Sequence, residues 1–484
     1  MLGIIYFLGL ILAAFGLVYL LPLVCSIVTG DGLWATFLAC AALTAALGAG
    51  MAALTFKYRR ELKPRDGFLL VTVGWILLAV AATLPLLMAM PGLTFTRALF
   101  ETMSGLTTTG STVLTGLGSL APSLNFWRCS LIWVGGLAVI VVAMGVMPLL
   151  GIGGMELSKA DAPGPVKDQK LEPRITEAAR SVWLVYLLLT VAGIAGLRLA
   201  GMSWFDAICH AFSAVSLGGF STHDASIAYF HSPAVEFVLM VLMLVASMNF
   251  TRHFVALRRL TLKPYRNDPE FKAMAIVLSL SVAGVALLLF VDGVYPTFNT
   301  SLRYAAFNVI SMATTTGWVA AGHAGFANWP VFAPIWMLFL SGIVCSTGTS
   351  GGGIKMFRTL VLARQAEREL KLLVHPSAVA PVRVGRRPIP ERVADAILAF
   401  MFLYFMALAL LVFAMLLTGM GFDSAFRVVV ASINNTAYGL PGHAEWNLHA
   451  LSTPQIWICT TAMLLGRLEI FSVIVLFTRT FWRK

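Results

Sequence analysis

Charge is what this 484-residue chain has least of: Asp, Glu, Lys and Arg make up 12% of it, against 59% hydrophobic residues. Its mean hydropathy is +0.86. No soluble globular domain of this length looks like that, so the solvent is a bilayer. Cysteine is scarce as well. Cys25, Cys40, Cys129, Cys209, Cys345 and Cys459 lie in or beside apolar segments without a Cys-x-x-Cys spacing. They read as packing residues rather than as a metal site or disulfide framework. The chain also lacks a Walker loop and a zincin pair. His210, His223, His323 and His443 are scattered over separate outer loops, and no His or Asp base stands at recognisable spacing beside the Ser and Thr clusters. An enzyme is not expected, nor a bound cofactor. No basic, aromatic-interleaved soluble region is present, so nucleic acid is not expected as a partner.

Apolar length is what the chain has in abundance. Stretches of about 20 residues, enough to cross a bilayer, recur at 2–28, 33–56, 68–90, 124–150, 177–200, 233–257, 273–292, 329–346, 393–419 and 454–478. The first has no basic region ahead of its apolar core and runs too long for a cleaved signal, so it reads as a retained span. Net charge is +12, and the basic residues crowd 57–65, 159–180, 252–272, 355–392 and the C-terminus. The other side holds little beyond Arg97, Arg128, Arg198, Arg303 and Arg427. The positive-inside rule makes the rich side cytoplasmic, with both termini there. That basic face suits anionic lipid.

Four polar clusters interrupt the apolar background: Thr107-Thr108-Thr109-Gly110-Ser111, Ser216-Leu217-Gly218-Gly219-Phe220-Ser221, Thr314-Thr315-Thr316-Gly317 and Asn434-Asn435-Thr436-Ala437. The phase is constant, because Ala98, Ala207, Ala305 and Ala425 stand equally far before Gly110, Gly219, Gly317 and Ala437. A fixed recurrence marks an internal repeat. Before each cluster comes an amphipathic stretch too short to span, at 94–106, 204–215, 298–313 and 422–433, which reads as a re-entrant helix. Surface turns between complete spans are the plain alternative. Four in one phase, on one side, each after a sub-span helix, argue against it. The expected fold is an all-α polytopic membrane protein with four span, pore helix, loop and span units around one central pore. The units are 57–158, 159–262, 263–388 and 389–484, after a peripheral hairpin at 1–56.

Such loops suit a monovalent cation. Backbone carbonyls replace its hydration without adding full charge, so the ion is held weakly enough to leave. Turning successive carbonyls inward requires one left-handed residue, which Gly supplies at least cost. Thr before it favours an extended backbone and adds a hydroxyl oxygen. The first and third clusters meet both demands, and Leu217-Gly218-Gly219 meets the backbone demand alone. Further on, Ser346-Thr347-Gly348-Thr349-Ser350-Gly351-Gly352-Gly353 interrupts the span that starts near Trp329. Consecutive Gly and hydroxyl residues destabilise a helix, and inside a bilayer such a break survives only where protein or water covers it. A Walker reading fails, since Lys355 stands between Ile354 and Met356; a passive kink is the remaining alternative. Arg467 lies near the middle of the last stretch, too deep to snorkel easily. It is either tied to carbonyls between helices or fixed at the pore constriction. Glu469, two positions on, is a weak intrahelical partner for it.

With these motifs the chain resembles the Trk/Ktr/HKT superfamily of potassium transporters, most closely the bacterial Trk membrane subunit. The resemblance covers essentially the whole chain. It is carried by Thr107-Thr108-Thr109-Gly110, Gly218-Gly219-Phe220-Ser221-Thr222, Thr314-Thr315-Thr316-Gly317, Ser350-Gly351-Gly352-Gly353-Ile354-Lys355 and Gly466-Arg467-Leu468-Glu469. It implies potassium as the substrate and a filter at Thr108, Thr109, Gly110, Leu217, Gly218, Gly219, Thr315, Thr316, Gly317, Asn435, Thr436 and Ala437. It also implies a gate formed by an intramembrane loop, with Gly348, Ser350, Gly351, Gly352, Gly353, Lys355 and Arg467. The bacterial inner membrane, a homodimer and a cytosolic nucleotide-binding regulatory ring on the basic face follow from the same resemblance. Ala437 departs from the family pattern, which has Gly there. Either Ala437 accepts a left-handed backbone at about 1 kcal/mol, or Gly439 supplies the bend. A less regular fourth wall and modest discrimination of potassium from sodium are expected. The competing class is a secondary transporter coupled to sodium or protons. It requires two related halves and buried mid-membrane acids, whereas four related quarters and few such acids are read here.

Overall fold

The computed structural model describes residues 2–60, 62–145, 171–320, 328–385, 387–437 and 448–483. Gly439, His323, His443, Lys484, the 146–150 end of the fourth apolar stretch, the 159–170 part of the second basic connection and the unit boundary at 158 fall outside them. Helix α1 (Leu2–Phe15) runs through a 3-10 turn into α2 (Leu20–Thr29), and α3 (Trp34–Thr55) returns beside them. Next come α4 (Pro64–Ala82), α5 (Leu84–Ala89), the short α6 (Phe95–Leu106) and α7 (Pro122–Gly145). The second group is α8 (Leu171–Leu199), the short α9 (Trp204–Val215), α10 (Pro233–Ala246), α11 (Phe250–Arg259) and α12 (Lys263–Arg266). The third is α13 (Pro269–Val291), the short α14 (Phe298–Ala313), α15 (Phe332–Ile343) and α16 (Met356–Val374), followed by an antiparallel ladder of Arg383–Val384 with Arg387–Pro388. The fourth is α17 (Glu391–Leu417), the short α18 (Phe422–Ile433), α19 (Thr453–Arg467), α20 (Phe471–Ile474) and α21 (Arg479–Trp482).

Among the described residues each of the ten apolar stretches forms helix, and the four sub-span helices begin and end within a residue of the bounds read from sequence. Among the described residues seven segments are long and apolar enough to cross a bilayer as they stand. The stretches 233–257 and 454–478, read as apolar stretches of spanning length, are broken: α10 meets α11 at 97°, and α19 meets the segment Phe471–Phe477 at 105°. The first bend has a tertiary cause. Ser247 gives its carbonyl to the Ser346 N–H (3.1 Å), and Asn249 caps α11 through the Thr251 N–H (2.9 Å). At the second bend α19 ends on Arg467 itself, and Glu469 turns left-handed at φ 50°. Arg467 therefore stands at a helix terminus, not mid-helix.

The N-terminal hairpin, expected to be peripheral, is fused to the core. Tyr19 stacks on Trp127 with ring centroids 4.6 Å apart and donates to the Ala81 carbonyl at 2.7 Å. Phe15, Tyr19, Phe37 and Cys40 share one buried cluster with Leu106, Trp127, Val428 and Met463, so it draws on both ends of the chain.

Candidate functional site

The four short helices end alike. The N–H groups of Thr108, Leu217, Thr315 and Asn435 donate to Gly105, Ala214, Met312 and Ser432 at 2.9, 3.1, 3.0 and 3.2 Å. Those of Thr109, Gly218, Thr316 and Thr436 reach back to Ser104, Ser213, Ser311 and Ala431 at 2.8, 2.9, 2.9 and 2.9 Å. This pair of bonds is the Schellman closure, and it requires a left-handed residue just past the cap. Glycine usually fills that place, yet here it holds Thr108 (φ 48°), Leu217 (φ 55°), Thr315 (φ 62°) and Asn435 (φ 51°). Two residues on, Gly110, Gly219 and Gly317 are left-handed again, at 74°, 80° and 77°. Each of the first three loops thus turns twice where one turn was expected. Ala437 is not among the left-handed residues, so it escapes the strain considered for it.

The loops abut in chain order. A Cβ added at Gly110 would overlap the Gly218 carbonyl oxygen, and one at Gly219 would overlap that of Thr316. A Cβ at Gly317 would meet the Ala437 carbonyl oxygen. The fourth loop returns to the first through Asn435 Nδ2, which donates to Thr109 Oγ1 at 3.1 Å. A closed ring results, with four helix C-termini directed at it and the Thr107–Thr109, Thr314–Thr316 and Asn434–Thr436 runs buried. A Cβ at Gly219 would lie 2.8 Å from the Ala437 methyl, and one at Gly317 2.6 Å from it. Since the second loop lies opposite the fourth, that methyl points across the ring.

The Gly-rich segment lies against the underside of this ring. The Gly352 N–H donates to Thr315 Oγ1 (3.1 Å), and the Ser350 carbonyl lies 3.4 Å from Thr108 Oγ1. A Cβ at Gly352 would overlap the Asn434 carbonyl oxygen, so only glycine lets the loop come this close. Leu217 reaches towards Gly351. The side chains of Thr108, Leu217 and Thr315 therefore face the loop. Arg467 binds both partners: Nε donates to the Thr107 carbonyl (2.7 Å), Nη1 to the Ser350 carbonyl (2.6 Å) and Nη2 to Thr108 Oγ1. The two readings of Arg467 thus coincide, because it is tied to carbonyls and those carbonyls belong to the ring and the loop. Glu469 serves Arg358 instead, at 2.5 Å. Lys355 is buried at φ 75° and lines a cavity with Gly351 to Gly353, Arg467, Trp75 and Val139. Gly348 is left-handed beside Asn249.

Several contacts were not foreseen. Buried acids were read as few, yet Glu101, Glu236 and Glu270 are 1%, 3% and 5% exposed. Each is satisfied. Arg128 Nε meets Glu101 at 2.7 Å, Arg303 holds Glu236 through two bonds of 2.7 Å, and Thr347 gives Glu270 its N–H and its hydroxyl, both at 2.9 Å. The signal was present as single acids and arginines inside apolar runs, where an unpaired charge is costly. Arg128 also donates to Asn125 and to the Ser221 carbonyl (3.3 Å), bracing the first loop against the second. His210 and His223, expected on separate loops, both adjoin Asp206.

The chain is similar to known cation transport proteins over nearly its whole length. A family model described as TrkH, a cation transport protein, matches residues 35–484. The Trk system potassium uptake protein TrkH of Salmonella typhimurium is 41% identical over 477 residues, covering 98% of each chain. The Trk system potassium uptake protein TrkG of Escherichia coli is 39% identical over 441 residues, 90% of each. Among solved structures, the crystal structure of the potassium transporter TrkH from Vibrio parahaemolyticus superimposes with a TM-score of 0.91 at 39% identity, covering 100% of this chain and 99% of the other.

Proposed function

Because the chain belongs to the TrkH family of cation transport proteins, we propose that it takes up potassium across the bacterial inner membrane through one central pore, driven by the membrane potential. It is a transporter and not an enzyme. The observation that carries the reading is the closed ring of four loops. Four helix C-termini converge on it, and their partial negative charge favours a cation there. The carbonyls beside Gly110, Gly219 and Gly317 are positioned to replace water around a desolvated ion. The membrane potential supplies about 2.3 kcal/mol per charge per 100 mV, enough for inward accumulation without a bound cofactor.

The filter comprises Thr108 to Gly110, Leu217 to Gly219, Thr315 to Gly317 and Asn435 to Ala437. The gate comprises Gly348, Ser350 to Gly353, Lys355 and Arg467. In the arrangement described, the loop and the Arg467 guanidinium sit beneath the ring and keep it shut. The four units and the N-terminal hairpin divide at the boundaries read from sequence. The basic 57–65, 252–272 and 355–392 segments face the cytoplasm, as do both termini. A cytosolic nucleotide-binding regulatory subunit docks on that face, and two copies of the chain assemble as a dimer. Ion coupling is less favoured, because Glu101 and Glu236 are each closed by an arginine and Glu270 by Thr347.

Rescue of a potassium-uptake-deficient bacterium at low potassium tests the reading. The wild-type chain should restore growth. Gly219→Ala, which drives a methyl into the Thr316 carbonyl at a left-handed position, should lower rubidium uptake on the order of tenfold or more at equal expression. Full uptake by that variant would remove the ring from the ion path.

A further inference from the structure

Where α10 ends, the chain turns by 97° and α11 runs across the end of the span. Its inner side is held by Phe250, His253 and Ala256, all buried. Its other side and the following turn are unlike the rest of the molecule. Leu257, Leu260 and Leu262 are 50%, 91% and 76% exposed, and they alternate with exposed Arg258, Arg259, Lys263 and Arg266. No carboxylate occurs between Phe250 and Asn267, and Asp268 is taken by Arg252 at 3.0 Å. Among the described residues the other four cations of this stretch have no acidic partner.

The same helix is wired to the Gly-rich loop at its N-terminus. Asn249 accepts the Thr251 N–H with Oδ1 (2.9 Å) and donates Nδ2 to the Thr347 carbonyl (2.8 Å). The Phe250 N–H approaches the Gly348 carbonyl at 3.4 Å, and the Ser346 N–H binds the Ser247 carbonyl. Glu270 fixes Thr347 from the opposite side with both carboxylate oxygens. One side chain, Asn249, therefore both starts α11 and holds the loop.

We propose that α11 and the turn after it seat on anionic phospholipid headgroups of the cytoplasmic leaflet, and that Asn249 transmits this seating to the gate. The proposal rests on reading the 346–353 loop as the gate. Exposed leucines interleaved with arginines, at right angles to a span, are what a headgroup boundary accepts: the apolar side chains dip in and the cations meet phosphates. An acidic soluble protein would match the cations but not Leu260 and Leu262. Seated, the helix keeps the Asn249–Thr347 bond and the closed arrangement.

The test measures basal rubidium flux of the purified full-length protein in vesicles of phosphatidylcholine alone or mixed with phosphatidylglycerol. Wild type should leak about threefold less, or lower still, in the anionic mixture, with the difference shrinking at high salt. Arg258→Gln combined with Arg259→Gln should lose the difference. Asn249→Ala should leak equally in both lipids, with an unchanged rubidium-to-sodium ratio showing that the filter has formed. Deleting Ser350 to Gly353 should raise flux in either lipid. If that deletion leaves flux at the wild-type value, the gate reading fails. If it raises flux while wild type ignores lipid charge, or the arginine variant keeps the lipid response, the seating fails and the gate stands. Inorganic phosphate that reproduced the effect in phosphatidylcholine would make this a soluble-anion site. An arginine variant that kept the lipid response but lost uptake in cells would assign the surface to a protein. Either outcome overturns the proposal.

Discussion

A left-handed backbone costs a residue with a Cβ about 1 kcal/mol, and the ring accepts that cost at Thr108, Leu217, Thr315 and Asn435. Glycine there would relieve the strain and remove the contacts: Thr108 with Arg467, Thr315 with Gly352, Asn435 with Thr109 and the Met463 carbonyl. Ala437 shows the opposite economy. It avoids the left-handed region, and its methyl crosses the ring instead. Ala437→Gly should clear the opening and raise the rubidium-to-sodium flux ratio in vesicles; an unchanged ratio would absolve the methyl. The glycines at 110, 219 and 317 were legible in the sequence because only they tolerate both the φ and the neighbouring carbonyl. The strained Thr108, Leu217 and Thr315 two positions earlier were not, since Thr and Leu announce no turn and their conformation is imposed by the helix ends; Asn435 alone is a residue that tolerates it.

At the scale of elements, legibility followed local chemistry. The break between α15 and α16 was readable, because a run of Gly, Ser and Thr cannot hold a helix. The bends at 247–249 and after Arg467 carry no such run. They coincide with tertiary bonds: the Ser346 N–H takes the Ser247 carbonyl, the Thr347 carbonyl takes the Asn249 side-chain amide, and Arg358 takes the Glu469 carboxylate. Asn249 was the available clue, being a strong N-cap residue in an apolar stretch. Arg467 ties α19 to two loops at once, so its charge and its tether can be separated. Arg467→Ala should raise basal rubidium flux. Arg467→Lys keeps the charge but cannot reproduce three diverging bonds. A lysine variant as leaky as alanine identifies the tether; one as tight as wild type identifies the charge.

At the scale of the molecule, a buried charge pair inside the first quarter also braces the second. Glu101 sits on α6, Arg128 on α7, and Arg128 also reaches the loop after α9. Removing only the cation strands a carboxylate, typically at a cost of about 3–5 kcal/mol. Arg128→Met should therefore lower the thermal unfolding midpoint in detergent, and adding Glu101→Gln should recover much of the loss. No recovery would mean that the bond to Ser221 matters more than the pair. The constant phase of the four polar clusters supplied the ring's existence from sequence, and the family resemblance its filter residues. Its closure in chain order came only from the structure, because contacts between quarters leave no periodicity in a sequence.

That order has a consequence for how the molecule is made. Three of the four joints in the ring link quarters that follow one another along the chain, but the joint from Asn435 to Thr109 links the last to the first. During synthesis the first quarter enters the bilayer and waits, with Thr109 unmet and α6 lacking the α19 it packs against, until nearly the whole chain has been translated. A product that stopped before the fourth quarter would lack the joint that closes the ring. The pore is therefore complete only once the last quarter is in place.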